Sequence, residues 1–229
     1  MKRLDKEHAL LALGLVLFGI GSWLGLVEAP PERYMGDVGR ILYIHVPTAW
    51  IGLVAFTVGF GYALASLFTR RLAHDDVLVG CLEVGVLLSA MLLIQGSIWA
   101  KPTWGVFWTW DPRLTTTAIM FVSFAALLAM RGFVADPQRR ARWTAVGTVI
   151  AFLDVPLVYF SIKWWRTLHQ TFSSPETVAG SMVWPLRINA VALLAIAAWL
   201  VIRRARAARL QRRQREADAP ASSTLVAGE

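Results

Sequence analysis

The sequence predicts an all-α integral membrane protein: a bundle of six transmembrane helices with both termini on the cytoplasmic side. Three observations predict it. The chain of 229 residues is 56% hydrophobic with a mean hydropathy of +0.53, more apolar than soluble domains normally are. The apolar residues gather into six runs of 17–23 residues. At ~1.5 Å per residue, such helices cross a ~30 Å hydrocarbon layer with modest tilt. The net charge of +8 falls almost entirely between and after the runs.

The first run, Ala9–Val27, exceeds the ~7–15 apolar residues of a signal peptide, so it is expected to be an uncleaved span. Its Gly21 and Gly25 have GxxxG spacing, read as close helix packing. The second and third runs are Pro47–Phe68 and Val77–Trp99, with Glu83 about two turns into the third. The fourth, Leu114–Met130, follows Asp111, a carboxylate suited to a helix start. The fifth, Trp143–Ile162, carries Asp154 near its middle, and Pro156 frees a backbone carbonyl there. The sixth is Val183–Ile202. Acids inside a membrane face the bundle and find partners, so Glu83 and Asp154 are expected to be structural, with Gln95 and Asn189 as polar companions. Residues 1–202 form the membrane domain. Residues 203–229 are a basic helix that becomes small and polar, a stop-transfer tail expected to be partly disordered. A binding arm for lipid or a partner is the alternative reading of that tail.

Lysine and arginine set the orientation. The N-terminus, second loop, fourth loop and tail hold sixteen; the other three loops hold six: Arg33, Arg40, Lys101, Arg113, Lys163 and Arg166. The positive-inside rule places both termini in the cytoplasm. The basic charge therefore belongs to membrane orientation, and no nucleic-acid partner is expected.

That orientation sorts the histidines and tryptophans. His8 and His74 fall inside; His45, at the mouth of the second span, and His169, in the fifth loop, fall outside. Nine of the eleven tryptophans lie at the outer side, including three in "WGVFWTWD", Trp104 to Asp111. Interfacial anchoring should populate both membrane surfaces, so this asymmetry favours a flat hydrophobic ligand at the outer face.

Two histidines make a poor zinc site, which needs four ligands or three plus water. They are the right number for the axial positions of a haem iron, since the porphyrin supplies four nitrogens. Outer arginines such as Arg40, Arg113 and Arg166 suit its propionates. The competing reading is two polar residues near lipid headgroups, and the residues alone leave both open. The single cysteine, Cys81, excludes a disulfide framework, a CxxC redox pair and a CxxCH haem attachment site. No phosphate-binding G-x-x-x-x-G-K-[ST] loop is present, so no ATPase or other catalytic role is expected.

"WGVFWTWDPRLTT" matches the WWD signature of haem-handling membrane proteins. "YIHVPTAW" and "DVPLVYFSIKWWRTLHQ" resemble the flanking histidine segments of the cytochrome c maturation protein C (haem exporter protein C) family. The resemblance runs from about Tyr34 to Ile202. It implies that His45 and His169 are axial ligands of a non-covalent haem b (iron protoporphyrin IX). It implies that Trp104, Gly105, Trp108, Trp110 and Asp111, in the WWD loop at 100–113, form a platform for the haem edge, and that Arg113 is the family's basic residue after it. It further implies an inner-membrane protein that loads haem onto a periplasmic haem chaperone, cytochrome c maturation protein E. The implied partners are a small one-span maturation protein D and ABC transporter subunits A and B. Two other functions compete: a quinol-linked b-type redox cytochrome, and a channel passing haem across the bilayer. The expected placement of both histidines in surface loops disfavours the first. The absence of a polar pathway disfavours the second.

Overall fold

The computed structural model describes residues 2–169 and 179–218, and their regular structure is helical. Six helices are long and apolar enough to cross a membrane, so the six-span bundle is what forms. α1 (Lys2–Trp23) runs into a π-helical turn, Leu24–Glu28. A 3-10 turn, Asp37–Ile41, leads into α2 (Leu42–Thr69). α3 (Leu72–Trp104) and α4 (Pro112–Met130) follow. The fifth span is broken at Leu153 into α5 (Pro137–Phe152) and α6 (Asp154–Trp164). α7 (Gly180–Asp218) forms the sixth span and continues beyond it.

Local chemistry explains the ends. Asp111 and Asp136 cap α4 and α5 by accepting from the N–H groups of Arg113 (2.9 Å) and Arg139 (2.6 Å). Each is followed by proline at the first helical position, where the missing N–H costs nothing. The break at Leu153 sits beside Phe152, whose carbonyl the Pro156 ring would crowd in an unbroken helix.

α2 starts five residues before the apolar run and takes Pro47 into its interior. Pro47 has no N–H for the carbonyl of Tyr43, one turn back. Asn189 on α7 supplies the missing donor, its Nδ2 bonding the Tyr43 oxygen at 2.8 Å in a fully buried position. Asn189 thus serves a proline-freed carbonyl, not the intramembrane acids assigned to it from sequence.

α1 lies along α7, and α2 contacts α3, α5 and α7. Gly21 and Gly25 allow close packing, as their spacing suggested, but against two different helices: Gly21 faces α7 and Gly25 faces α2. A Cβ on Gly21 would stand 2.4 Å from Asn189 Oδ1, and one on Gly25 2.5 Å from the Tyr43 ring. The main core joins α2, α3, α4 and the α5–α6 span through Phe56, Leu78, Leu82, Met120, Phe124 and Ala145. Phe56 and Phe124 stack at 3.9 Å.

The first turns of α1 and the extension of α7 lie at one end of the bundle, where Arg206 pairs with Glu7. There the extended α7 is fastened by its arginines. Arg204 pairs with Glu83, and Arg212 with Asp76 at 2.8 Å. Arg131 grips Asp75 through two bonds of 2.7 and 2.8 Å. Glu83 is therefore an ion-pair partner. Asp154 Oδ2 is buried and has no hydrogen-bond partner among the described residues, so the structural bond expected for it is not made there.

Candidate functional site

At the other end, a cavity opens between α2, α3, α4, α6 and the segment that follows α6. It encloses about 1360 Å³ of empty space, counting its open mouth. His45, Trp99, Trp104, Trp108, Arg113 and His169 all line it. Residues spread across 125 positions of sequence therefore share one wall, from His45 to His169.

His45 is in the first turns of α2 and only 7% exposed. The Trp99 ring meets it edge-on, with centroids 5.3 Å apart. Gly96 keeps that side open: a Cβ there would stand 3.3 Å from His45 Cε1. The His45 Nδ1 is buried without a hydrogen-bond partner among the described residues. A buried polar atom left unmatched costs ~1–3 kcal/mol, which a bound ligand can offset.

This corrects the sequence expectation of two surface loops. His45 is a helical, buried residue, because Asn189 lets α2 begin ahead of Pro47. The cavity also reaches inward to Leu53, Ser89 and Met120. Leu53 is eight residues beyond His45, about 12 Å along the helix at ~1.5 Å per residue. The site is a cleft in the bundle, not a platform lying on it.

His169 is set by the loop after α6. Asp111 is 6% exposed, and its carboxylate accepts from Thr167 Oγ1 (2.8 Å) and the Leu168 N–H (2.7 Å). The His169 N–H then bonds Thr167 Oγ1 at 3.0 Å. Asp111 therefore ties the start of α4 to the histidine loop and is not among the lining residues. Sequence identified its capping role; nothing in sequence marked Thr167.

The remaining expected residues divide. Trp104 and Trp108 line the cavity. Trp110 is 81% exposed and meets Trp108 edge-on at 5.9 Å. Gly105 ends α3 at φ +80°, a left-handed position that favours glycine, so it turns the chain and leaves the wall to its neighbours. Arg113 lines the cavity while its guanidinium donates to the carbonyls of Val158 (3.1 Å) and Tyr159 (3.3 Å) on α6. Arg40 lies off the wall. It bonds Asp37 and the carbonyls of Gly25 and Ala29, which end the π-helical turn. Arg166 is exposed and also off the wall. The assignment of Arg40 and Arg166 to the cavity is not met by this geometry.

The donor set fits a planar iron macrocycle. Among the described residues no group of three or more His, Cys, Asp or Glu could cage a bare metal ion. Two imidazoles on an aromatic, mostly apolar cleft suit a porphyrin, which brings four nitrogens of its own.

Fold and site together define a multi-span helical membrane protein with a histidine-bearing aromatic cleft at one end. The family model described as "Heme exporter protein C" matches residues 4–220. The chain belongs to this family. It is 33% identical over 187 residues to heme exporter protein C of Bradyrhizobium diazoefficiens, covering 80% of this chain and 71% of that protein. It is 32% identical to the Haemophilus influenzae protein of the same name, over 85% of this chain and 80% of the relative. The Escherichia coli K12 relative is 27% identical, with 86% and 81% covered.

Proposed function

We propose that this protein handles haem in cytochrome c maturation, holding haem b in the cleft through His45 and His169 and presenting it to a periplasmic haem chaperone. The observation that carries the reading is one cavity lined by both histidines, with His45 Nδ1 unpaired among the described residues, in a chain of the heme exporter protein C family. Trp99, Trp104 and Trp108 give flat apolar surface to a macrocycle, and Arg113 offers a cation to a propionate. The exposed Trp110 and Phe107 are contacts for the incoming chaperone, cytochrome c maturation protein E.

The lysine and arginine count supports an inner-membrane orientation with both termini cytoplasmic and the cleft periplasmic. A small one-span partner, maturation protein D, and an ABC transporter formed by subunits A and B complete the assembly. The chain carries no phosphate-binding loop, so ATP-driven work falls to the transporter.

The test is the visible spectrum of purified protein with bound haem, against His45→Ala and His169→Ala. Each variant should lose the six-coordinate low-spin spectrum and load less chaperone. Persistence of that spectrum in both variants overturns the ligand assignment. Burial of His45 in a helix also suits a membrane redox cytochrome, so location no longer argues against that reading. Quinol-coupled haem reduction during turnover, with chaperone loading intact in the histidine variants, would establish it instead.

A further inference from the structure

A second recess lies at the terminal end of the bundle, away from the histidine cleft. It is formed by α3, the turn between α4 and α5, and the extension of α7. Arg131, Arg140, Arg204, Arg212 and Arg215 line it, against Asp75, Asp76 and Glu83. The charges do not cancel. Asp75 is gripped on both oxygens by Arg131, Asp76 is taken by Arg212 with Arg209 at 3.6 Å, and Glu83 is paired with Arg204. Arg140 and Arg215 have no carboxylate within salt-bridge distance among the described residues. Among the described residues the Arg140 guanidinium makes one hydrogen bond, a long one of 3.4 Å to the Val134 carbonyl.

We propose that this recess binds the phosphate headgroup of an anionic membrane lipid, with Arg140 and Arg215 as the phosphate contacts. Guanidinium forks match phosphate oxygens, and basic pockets between transmembrane helices suit anionic headgroups. The remaining lining favours a lipid over free phosphate. Leu72, Val79 and Leu128 give the same recess an apolar side, which acyl chains use and an inorganic ion does not. It also lies where apolar spans give way to arginine, the composition that suits a headgroup region. About 1020 Å³ of empty space, counting the mouth, leaves room for a headgroup.

The experiment is native mass spectrometry of the full chain released from detergent with phosphatidylglycerol or phosphatidylcholine. Wild type should retain phosphatidylglycerol preferentially. Arg140→Gln with Arg215→Gln should cut that retention about tenfold, as two headgroup cations are removed. Arg203→Gln with Arg213→Gln makes the same charge change outside the recess and should leave retention within about twofold. Should the first pair unfold, Arg215→Gln alone, at an exposed position, is compared with Arg213→Gln. Equal losses in the paired comparisons, or no preference for phosphatidylglycerol, overturn the proposal. Millimolar inorganic phosphate should not displace the lipid; displacement, with phosphate retained in its place, would assign the site to the free ion and also overturn it.

Discussion

The carboxylate of Asp111 holds the backbone N–H of Leu168, the residue before His169, at 2.7 Å. The same carboxylate caps α4 and accepts from Thr167. One buried side chain therefore fixes where the fourth span begins and where the second histidine stands. The aspartate of the WWD loop acts on the cleft by positioning its wall.

Asp111→Ala should consequently imitate a histidine variant. It removes three hydrogen bonds to a charged acceptor, each worth ~1.5–3 kcal/mol, and leaves the His169 segment untied. Haem retention should fall at least about tenfold, since ~1.4 kcal/mol is a factor of ten. The remaining haem should lose low-spin character as in His169→Ala. Adding Asp111→Ala to His169→Ala should change haem affinity little further. A full additional loss in the double variant would mean that Asp111 contacts haem itself.

Trp108 and Trp110, two residues apart, should separate binding from hand-over. Trp108 lines the cleft, whereas Trp110 is 81% exposed. Trp108→Ala should reduce haem retention, by about tenfold if ~1–2 kcal/mol of aromatic contact is lost. Trp110→Ala should leave retention within about twofold and slow chaperone loading. Haem titration and a loading assay on the same preparations check both. Equal retention losses would bring Trp110 into the cleft.

The six spans were legible because hydropathy and length alone define a crossing helix. The ends were less so. Pro47 looks like a helix start, the usual place for proline. Its actual position inside α2 depends on Asn189, 142 residues away, which no local pattern reveals. The misplacement of His45 in a loop followed from that single missed bond. In the WWD stretch, residue types pointed to an aromatic wall, but not to which rings line the cavity. Gly105 and Trp110 belong to the motif yet leave the wall to Trp104 and Trp108. Arg40 and Arg166 qualified by charge and side alone, and charge does not say which carbonyls a guanidinium already serves.

The Asn189–Pro47 relationship makes a compensation testable. Asn189→Leu removes the side-chain donor that serves the Tyr43 carbonyl and should destabilise the protein by ~1–3 kcal/mol. Pro47→Ala restores a main-chain N–H one turn from that carbonyl. The two changes together should therefore cost less than their sum, by at least ~0.5 kcal/mol. Denaturant titration in detergent, following helicity, measures the cycle. Strict additivity would mean that the Asn189 bond does not answer the proline.

At the terminal end, the pair Arg131–Asp75 should behave as a buried lock. The side chains are 13% and 8% exposed, and Arg131 also donates to Thr144 Oγ1 at 2.7 Å. Arg131→Met strands a carboxylate in the bundle and should cost ~3–5 kcal/mol. Asp75→Leu combined with Arg131→Met removes both charges and should recover most of that loss. The contrast is Arg40–Asp37, where Asp37 is 78% exposed and the pair is open to screening. Asp37→Asn should cost under ~1 kcal/mol, and less at high salt. If Arg131→Met proved as mild as Asp37→Asn, the first turn of α3 and the α4–α5 turn would not depend on this buried charge pair for their mutual position.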